Sequence, residues 1–250
     1  MGKGFDNTVF GVSTCPQTNN GWKKHWENFP YEFHWMWDNN NGKGGEGLVY
    51  TEEEMCKELG FSGEVSKKHY WNSFGNRNII WFYAHFRMLY FYKKNPNYDW
   101  YYFFDDDVTC NNWEELLQGF SESKSDFLAW YVFSKEKYKE HIPDLDKDTT
   151  SKHMWFERFP GDGDSLPWWV QQYYGSFFPV VRFSNTAMNT LLQQFQWGVW
   201  GYSEGFVPTI LNGYNHSLET IFQKDGTSKL YDIDKVNLQH KWQKIGWDWI

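Results

Sequence analysis

Short runs of strand length recur along the chain, and several are followed by a segment with helical spacing. Thr8-Val9-Phe10-Gly11-Val12-Ser13 reads as a first strand. Tyr31-Glu32-Phe33-His34-Trp35-Met36-Trp37 alternates apolar and polar positions before turning aromatic, which makes it a second. Polar loops separate these runs, one at residues 16–20 and a Gly/Asn-rich surface loop at 39–45. Thr51-Glu52-Glu53-Glu54 has the spacing of a capping box and predicts a short helix that stops at Gly60. Apolar spacing over residues 76–94 predicts a longer helix, ended by Lys93-Lys94-Asn95-Pro96, and a strand over 98–104 follows.

The second half repeats the alternation. Asn111 or Asn112 can cap a short helix through Trp113-Glu114-Glu115-Leu116-Leu117, and residues 126–132 read as a strand. Residues 134–154 are charged and irregular, and 160–169 form a loop of Gly, Asp, Pro and Trp. Phe177-Phe178-Pro179-Val180-Val181-Arg182-Phe183 predicts another strand, with Ser184 capping a helix to Gln194. A last helix, Glu204 to Leu211 with Ser203 as its cap, ends near Asn212-Gly213. Strands alternating with helices predict an α/β fold in three α/β/α layers, with a mostly parallel central sheet.

Composition changes this picture in two ways. The chain has 250 residues, which fits one domain, and 17 Trp, 16 Tyr and 22 Phe among them make aromatic rings the main core material. The formal net charge of −8, with no stripe of Lys and Arg, argues against a nucleic-acid partner. Three widely spaced cysteines, Cys15, Cys56 and Cys110, suggest a reducing compartment without a disulfide framework. No run reaches the apolar length of a membrane span, and the first residues lack a signal-peptide core. The expectation is a soluble, cytoplasmic protein.

The chemistry concentrates where Tyr101-Tyr102-Phe103-Phe104 meets Asp105-Asp106-Asp107. Three adjacent carboxylates at a strand end repel one another unless a cation or hydrogen-bond donors compensate. Hard oxygen ligands suit Mg²⁺ or Mn²⁺. The plain alternative is a solvated acidic turn or a helix start. The missing glycine and ligand alternation after Asp107 disfavour a calcium loop.

This run resembles the Asp-X-Asp motif of the GT-A glycosyltransferases, and Tyr202-Ser203-Glu204-Gly205-Phe206-Val207-Pro208-Thr209 is similar to a late stretch of the same enzymes. The step Arg182-Phe183-Ser184 also resembles that family. The likeness covers roughly residues 76–215 and implies one domain. Its halves would be a Rossmann-like, nucleotide-sugar-binding part over 1–107 and an acceptor-binding part over 108–250. It implies transfer of a sugar from a nucleotide-diphosphate sugar, with a UDP-sugar the first candidate, to a hydroxyl of a carbohydrate or glycoconjugate. In that reading Asp107 ligates Mn²⁺ or Mg²⁺ directly, Asp105 approaches the ribose or the metal-bound waters, and Asp106 supports either role. Glu204 is the general base of an inverting transfer, or else a helix-start acid, in which case the stereochemistry is open. A late His completes the metal shell in many such enzymes; His216 and His240 are the candidates, and each also reads as a surface or packing residue. Arg77, Lys67, Lys68 and His69 are in order to reach the diphosphate. Asp162 and Asp164 could bind acceptor hydroxyls while Trp168 or Trp169 stacks on a sugar ring; a turn pinned by two buried Trp is the alternative.

Two other functions use the same residue types. A glycoside hydrolase also needs carboxylates and aromatics, but as two acids facing each other across one sugar bond. A non-catalytic, metal-dependent carbohydrate-binding protein fits the acids and the Trp content. Nucleoside-diphosphate binding that depends on the metal separates the transferase from both.

Overall fold

The computed structural model of the chain describes residues 5–14, 23–39, 45–60, 84–134, 136, 170, 172–201 and 203–221. In chain order these form β1 (Thr8–Thr14), α1 (Lys23–Trp26), β2 (His34–Asp38), β3 (Leu48–Tyr50), α2 (Glu52–Leu59), α3 (Ala84–Lys94) and β4 (Trp100–Asp105). There follow α4 (Trp113–Glu122), β5 (Phe127–Ser134), β6 (Tyr174–Ser184), α5 (Asn185–Gln196), α6 (Ser203–Gly213) and β7 (Leu218–Thr220). The capping box forms as read: the Thr51 hydroxyl accepts from Glu54 N–H at 3.2 Å, and Glu54 Oε2 accepts from Thr51 N–H at 2.8 Å. Gly60 ends that helix at φ 79°, a left-handed position that glycine takes at little cost. Asn112 rather than Asn111 caps α4, and Ser184 caps α5.

Seven strands make one sheet in the order β3-β2-β1-β4-β6-β5-β7. β1 to β4 are mutually parallel; β6 runs antiparallel between β4 and β5, and β7 lies parallel to β5. The fold is therefore α/β with a mixed, mostly parallel sheet, and strands from both sides of Asp107 share it. The chain lays β2 and β3 successively outward from β1 and then returns to place β4 on the other side of β1. That reversal is a topological switch point, where the carboxyl ends of open α/β sheets leave a crevice for ligands.

The two faces bury different material. Val9, Tyr101, Phe103, Val181 and Phe183 pack under α2, α3, α5 and α6. Phe10, Val12, Tyr102, Phe104 and Val180 pack under α1 and α4. The second face is dense with rings: Trp26 and Trp113 have centroids 5.0 Å apart, and Phe29 and Phe104 meet Trp113 edge-on at 5.1 and 5.6 Å. At such distances tilted and edge-to-face pairs add stabilisation beyond area burial. Gly11 serves the packing of the first face, because a Cβ there would stand 2.9 Å from Phe103 Cδ1.

A cation lies inside the second face. Arg182, 1 % exposed, donates to the carbonyls of Phe120, Ser123 and Ser125, and its guanidinium carbon sits 4.2 Å from the Trp100 ring centroid. It thereby satisfies carbonyls at the end of α4 that have no partner within the helix. Arg182→Leu should lower stability by about 3 kcal/mol or more, since several buried acceptors lose a charged donor. Arg182→Lys should recover only part, because a point charge cannot span the same acceptors. Urea unfolding followed by circular dichroism reads both values, and a loss under about 1 kcal/mol for Arg182→Leu would contradict this role.

Candidate functional site

The carboxyl edge of the parallel strands gathers the acids. Asp105 ends β4 and pairs in register with Ser13 of β1, at the switch point. Its alternation with Tyr101 and Phe103 aims it at the α3 and α6 face. There Arg87, in the first turn of α3, binds it through Nη2–Oδ1 at 2.9 Å; the side chains are 11 % and 31 % exposed.

Asp106 does the opposite. It is 7 % exposed, its Oδ2 accepts from the Thr14 hydroxyl at 2.7 Å, its N–H donates to Ser13 O at 3.0 Å, and Trp26 Nε1 donates to its carbonyl at 3.0 Å. Through these bonds Asp106 ties the end of β4 to β1 and to α1. Its neighbours Asp105 and Asp107 keep partial exposure on either side of it.

Glu204 lies in the first turn of α6, as expected, though the helix begins at Ser203. Pro208 has no N–H to give the Glu204 carbonyl, and Ser176 Oγ donates to that carbonyl at 3.1 Å instead. Ser176 pairs with Val132 near the carboxyl end of β5, so Glu204 stands on the same edge of the sheet as Asp105. The Ser203 hydroxyl accepts from His85 N–H at 3.2 Å and sits 2.8 Å from His85 Nδ1. One hydroxyl thus joins the starts of α3 and α6. Hydroxyl and ring share this contact, with the donor set by the tautomer of the imidazole.

The remaining expectations divide. His216 belongs to the other edge: its Nε2 is 2.9 Å from Thr190 Oγ1 and its Nδ1 3.5 Å from Asp126 Oδ2. Asp126 precedes β5 and bonds Ser184, which pairs with Trp100 at the start of β4. Five residues of strand separate Trp100 from Asp105, roughly 17 Å at about 3.3 Å each. His216 thus stands at the opposite sheet edge from Asp105, against Thr190 and Asp126. Arg77, Lys67, Lys68, His69, Asp162, Asp164, Trp168, Trp169 and His240 lie outside the described residues.

Arg87, Thr14, Trp26 and His85 were not anticipated. The signal for Arg87 is a lone guanidinium in a helix whose first nine residues are otherwise all buried. A second acid pair also reaches this edge. Asp38, which ends β2, is buried, and burial together with its charge pushes the Glu52 carboxyl up to about 7.

Among the described residues no three His, Cys, Asp or Glu side chains form a closed metal cage. Asp105 and Asp107 fit the other mode of Mg²⁺ or Mn²⁺ binding, in which one or two carboxylates hold an ion that keeps waters and takes its remaining oxygens from a phosphate. A cavity of about 470 Å³ lies on the α1 and α4 side, lined by Lys24, His25, Asn28, Thr109, Asn111 and Glu114 among others; Asp105, Asp107 and Glu204 do not line it. No helix among the described residues is long and apolar enough to cross a membrane.

His85 is fully buried against Phe86 and Phe206, and burial drives its pKa down to about 3 from an ordinary value near 6.5. The folded protein holds it neutral while the unfolded chain protonates it, so its contribution is complete above pH 6.5 and is lost as pH falls toward 3. Glu52, whose carboxyl is held up to about 7, contributes over the same range with the opposite sign, so the test is a difference. Urea unfolding at pH 7 and pH 5 should show acidification costing the wild type more stability than it costs His85→Asn; an equal change in the two would remove His85 as a source.

The chain matches no protein-family profile and no curated protein.

Proposed function

We propose that the protein is a GT-A-type glycosyltransferase that moves a sugar from a nucleotide-diphosphate sugar, a UDP-sugar in the first instance, to a carbohydrate hydroxyl. One observation carries this reading: Asp105 and Asp107 flank a buried Asp106 at the end of β4, beside the switch point, with Glu204 on the same sheet edge. The order β3-β2-β1-β4 is that of the nucleotide-binding half of doubly wound folds. Such folds use an acid about 20 residues beyond the first turn for the ribose, and Asp38 at the end of β2 is suited to that contact.

Residue roles follow from placement. Asp107 and Asp105 would hold Mn²⁺ or Mg²⁺, which when bound neutralises the charge growing on the leaving diphosphate. Glu204 sits where the dipole of α6 favours an ionised carboxylate. In an inverting transfer it takes the proton of the acceptor hydroxyl as that oxygen bonds to the anomeric carbon and the bond to the diphosphate breaks. The starts of α3 and α6, joined through His85 and Ser203, keep Glu204 and Arg87 on one rigid frame.

Calorimetric titration with UDP tests the reading. Binding should require Mn²⁺ or Mg²⁺, and Asp107→Ala should abolish it, because the diphosphate then meets uncompensated carboxylates. Metal-independent binding, or unchanged affinity in Asp107→Ala, would reassign the site.

Glu204→Gln separates chemistry from binding. Sugar transfer should fall by roughly 10²–10⁴-fold with UDP affinity close to wild type, the usual worth of a positioned base. A nearly fully active Glu204→Gln would leave Glu204 a helix-start acid, with the base to be sought at Asp162 or Asp164 or the reaction reassigned as retaining.

A further inference from the structure

Arg87 carries more hydrogen-bonding capacity than its surroundings use. Among the described residues its one hydrogen bond is from Nη2 to Asp105, while Nε is buried there without a partner. A guanidinium offers five donors in a planar fork matched to two oxygens of a carboxylate or phosphate. A largely covered guanidinium held by a single oxygen, with its Nε buried, is an incomplete pairing, and an unmade bond to a charged donor is costly. The unmet need is for an anion. Arg87 also stands in the first turn of α3, where the helix dipole adds to its attraction for one.

Its present partner, Asp105, is the more exposed of the two at 31 % and is one of the two acids suited to a divalent cation. Arg87 and a cation therefore compete for the same carboxylate. We propose that Asp105 is an internal stand-in for a phosphate: when a divalent cation draws Asp105 away, Arg87 is released to bind the diphosphate that arrives with the metal. Asp105 thereby couples the metal to the anion through an exchange of partners, in addition to any direct contact between them. The identity of the anion as a nucleoside diphosphate rests on the glycosyltransferase reading; the exchange itself does not.

Such a device has a signature that a merely structural ion pair lacks. Neutralising Asp105 should strengthen anion binding in the absence of metal, since it removes Arg87's competitor. Calorimetry with inorganic pyrophosphate in EDTA reads this directly. Asp105→Asn should bind pyrophosphate roughly 10–100-fold more tightly than wild type, the range expected for freeing a charge-assisted pair. Arg87→Gln placed in the Asp105→Asn background should cancel the gain, and Arg87→Lys should keep part of it. With Mn²⁺ present, Arg87→Gln alone should weaken pyrophosphate binding by a similar factor.

If Asp105→Asn binds pyrophosphate no better than wild type in EDTA, the exchange is wrong, and that arm decides even where Arg87→Gln fails to fold. UDP affinity of the wild type with Mn²⁺ separates the two readings. Metal-dependent UDP binding that ignores Arg87 removes the exchange and leaves the transferase. A pyrophosphate gain in Asp105→Asn without any UDP binding by the wild type leaves the exchange and removes the nucleotide sugar. Failure of both overturns both.

Discussion

The register of β4 against β1 is the constraint on which the site depends. Six aligned pairs run from Thr8 with Trp100 to Ser13 with Asp105. Because side chains alternate across a sheet, a slip of one residue would exchange the faces of Asp105 and Asp106. Asp105 would then lose Arg87, and an acid would point into the aromatic layer without the Thr14 hydroxyl to receive it. The register is held from both sides. Phe103 fills the space that Gly11 leaves open, and Trp26 and Thr14 fasten Asp106 beyond the last paired residue. The middle acid of the triplet thus specifies where the outer two stand.

The same edge shows how a chain of net charge −8 tolerates carboxylates in close company. Each has its own form of compensation. Asp105 has a guanidinium, and Asp106 has a hydroxyl. Glu52, beside Asp38, relieves repulsion by holding its proton to about pH 7. Like charges that cannot all be solvated are reconciled by pairing, hydrogen bonding or protonation, and all three occur along one sheet edge.

Much of the fold was legible because it rests on local signals. The capping box at Thr51, the stop at Gly60 and the cap at Ser184 lie within a few residues of the helices they bound. The central strands were visible as aromatic runs. β3 and β7 were not, because three residues are too few to display a period of two, and both owe their conformation to a neighbour at the sheet edge. α1, at four residues, is similarly short and is fixed by what Trp26 touches. The antiparallel sense of β6 could not be read from its composition, since a strand buried on both faces has the same apolar run in either direction. In the site, the acids were legible as a motif, and Glu204 as a helix start. Arg87 and His85 were not, because their partners lie 18 and 118 residues away and nothing local announces a long-range bond. The place of His216 at the opposite edge was equally hidden, because it is set by Asp126 before β5 and Thr190 of α5.

The burial of Arg182 bears on how the molecule comes apart. Its guanidinium rises from β6 and holds the last turn of α4, with Ser123 and Ser125 passing the contact on to Glu219 of β7. α4 cannot peel from the sheet by itself, because its departure would strand a cation among Trp100 and Tyr102 in the low-dielectric interior. Loosening that helix therefore requires loosening β6 and β7 with it. Amide protons of α4 should exchange with solvent on the same timescale as those of β6, as one cooperative unit, although half of the helix is exposed and its sequence alone would suggest a surface element free to fray.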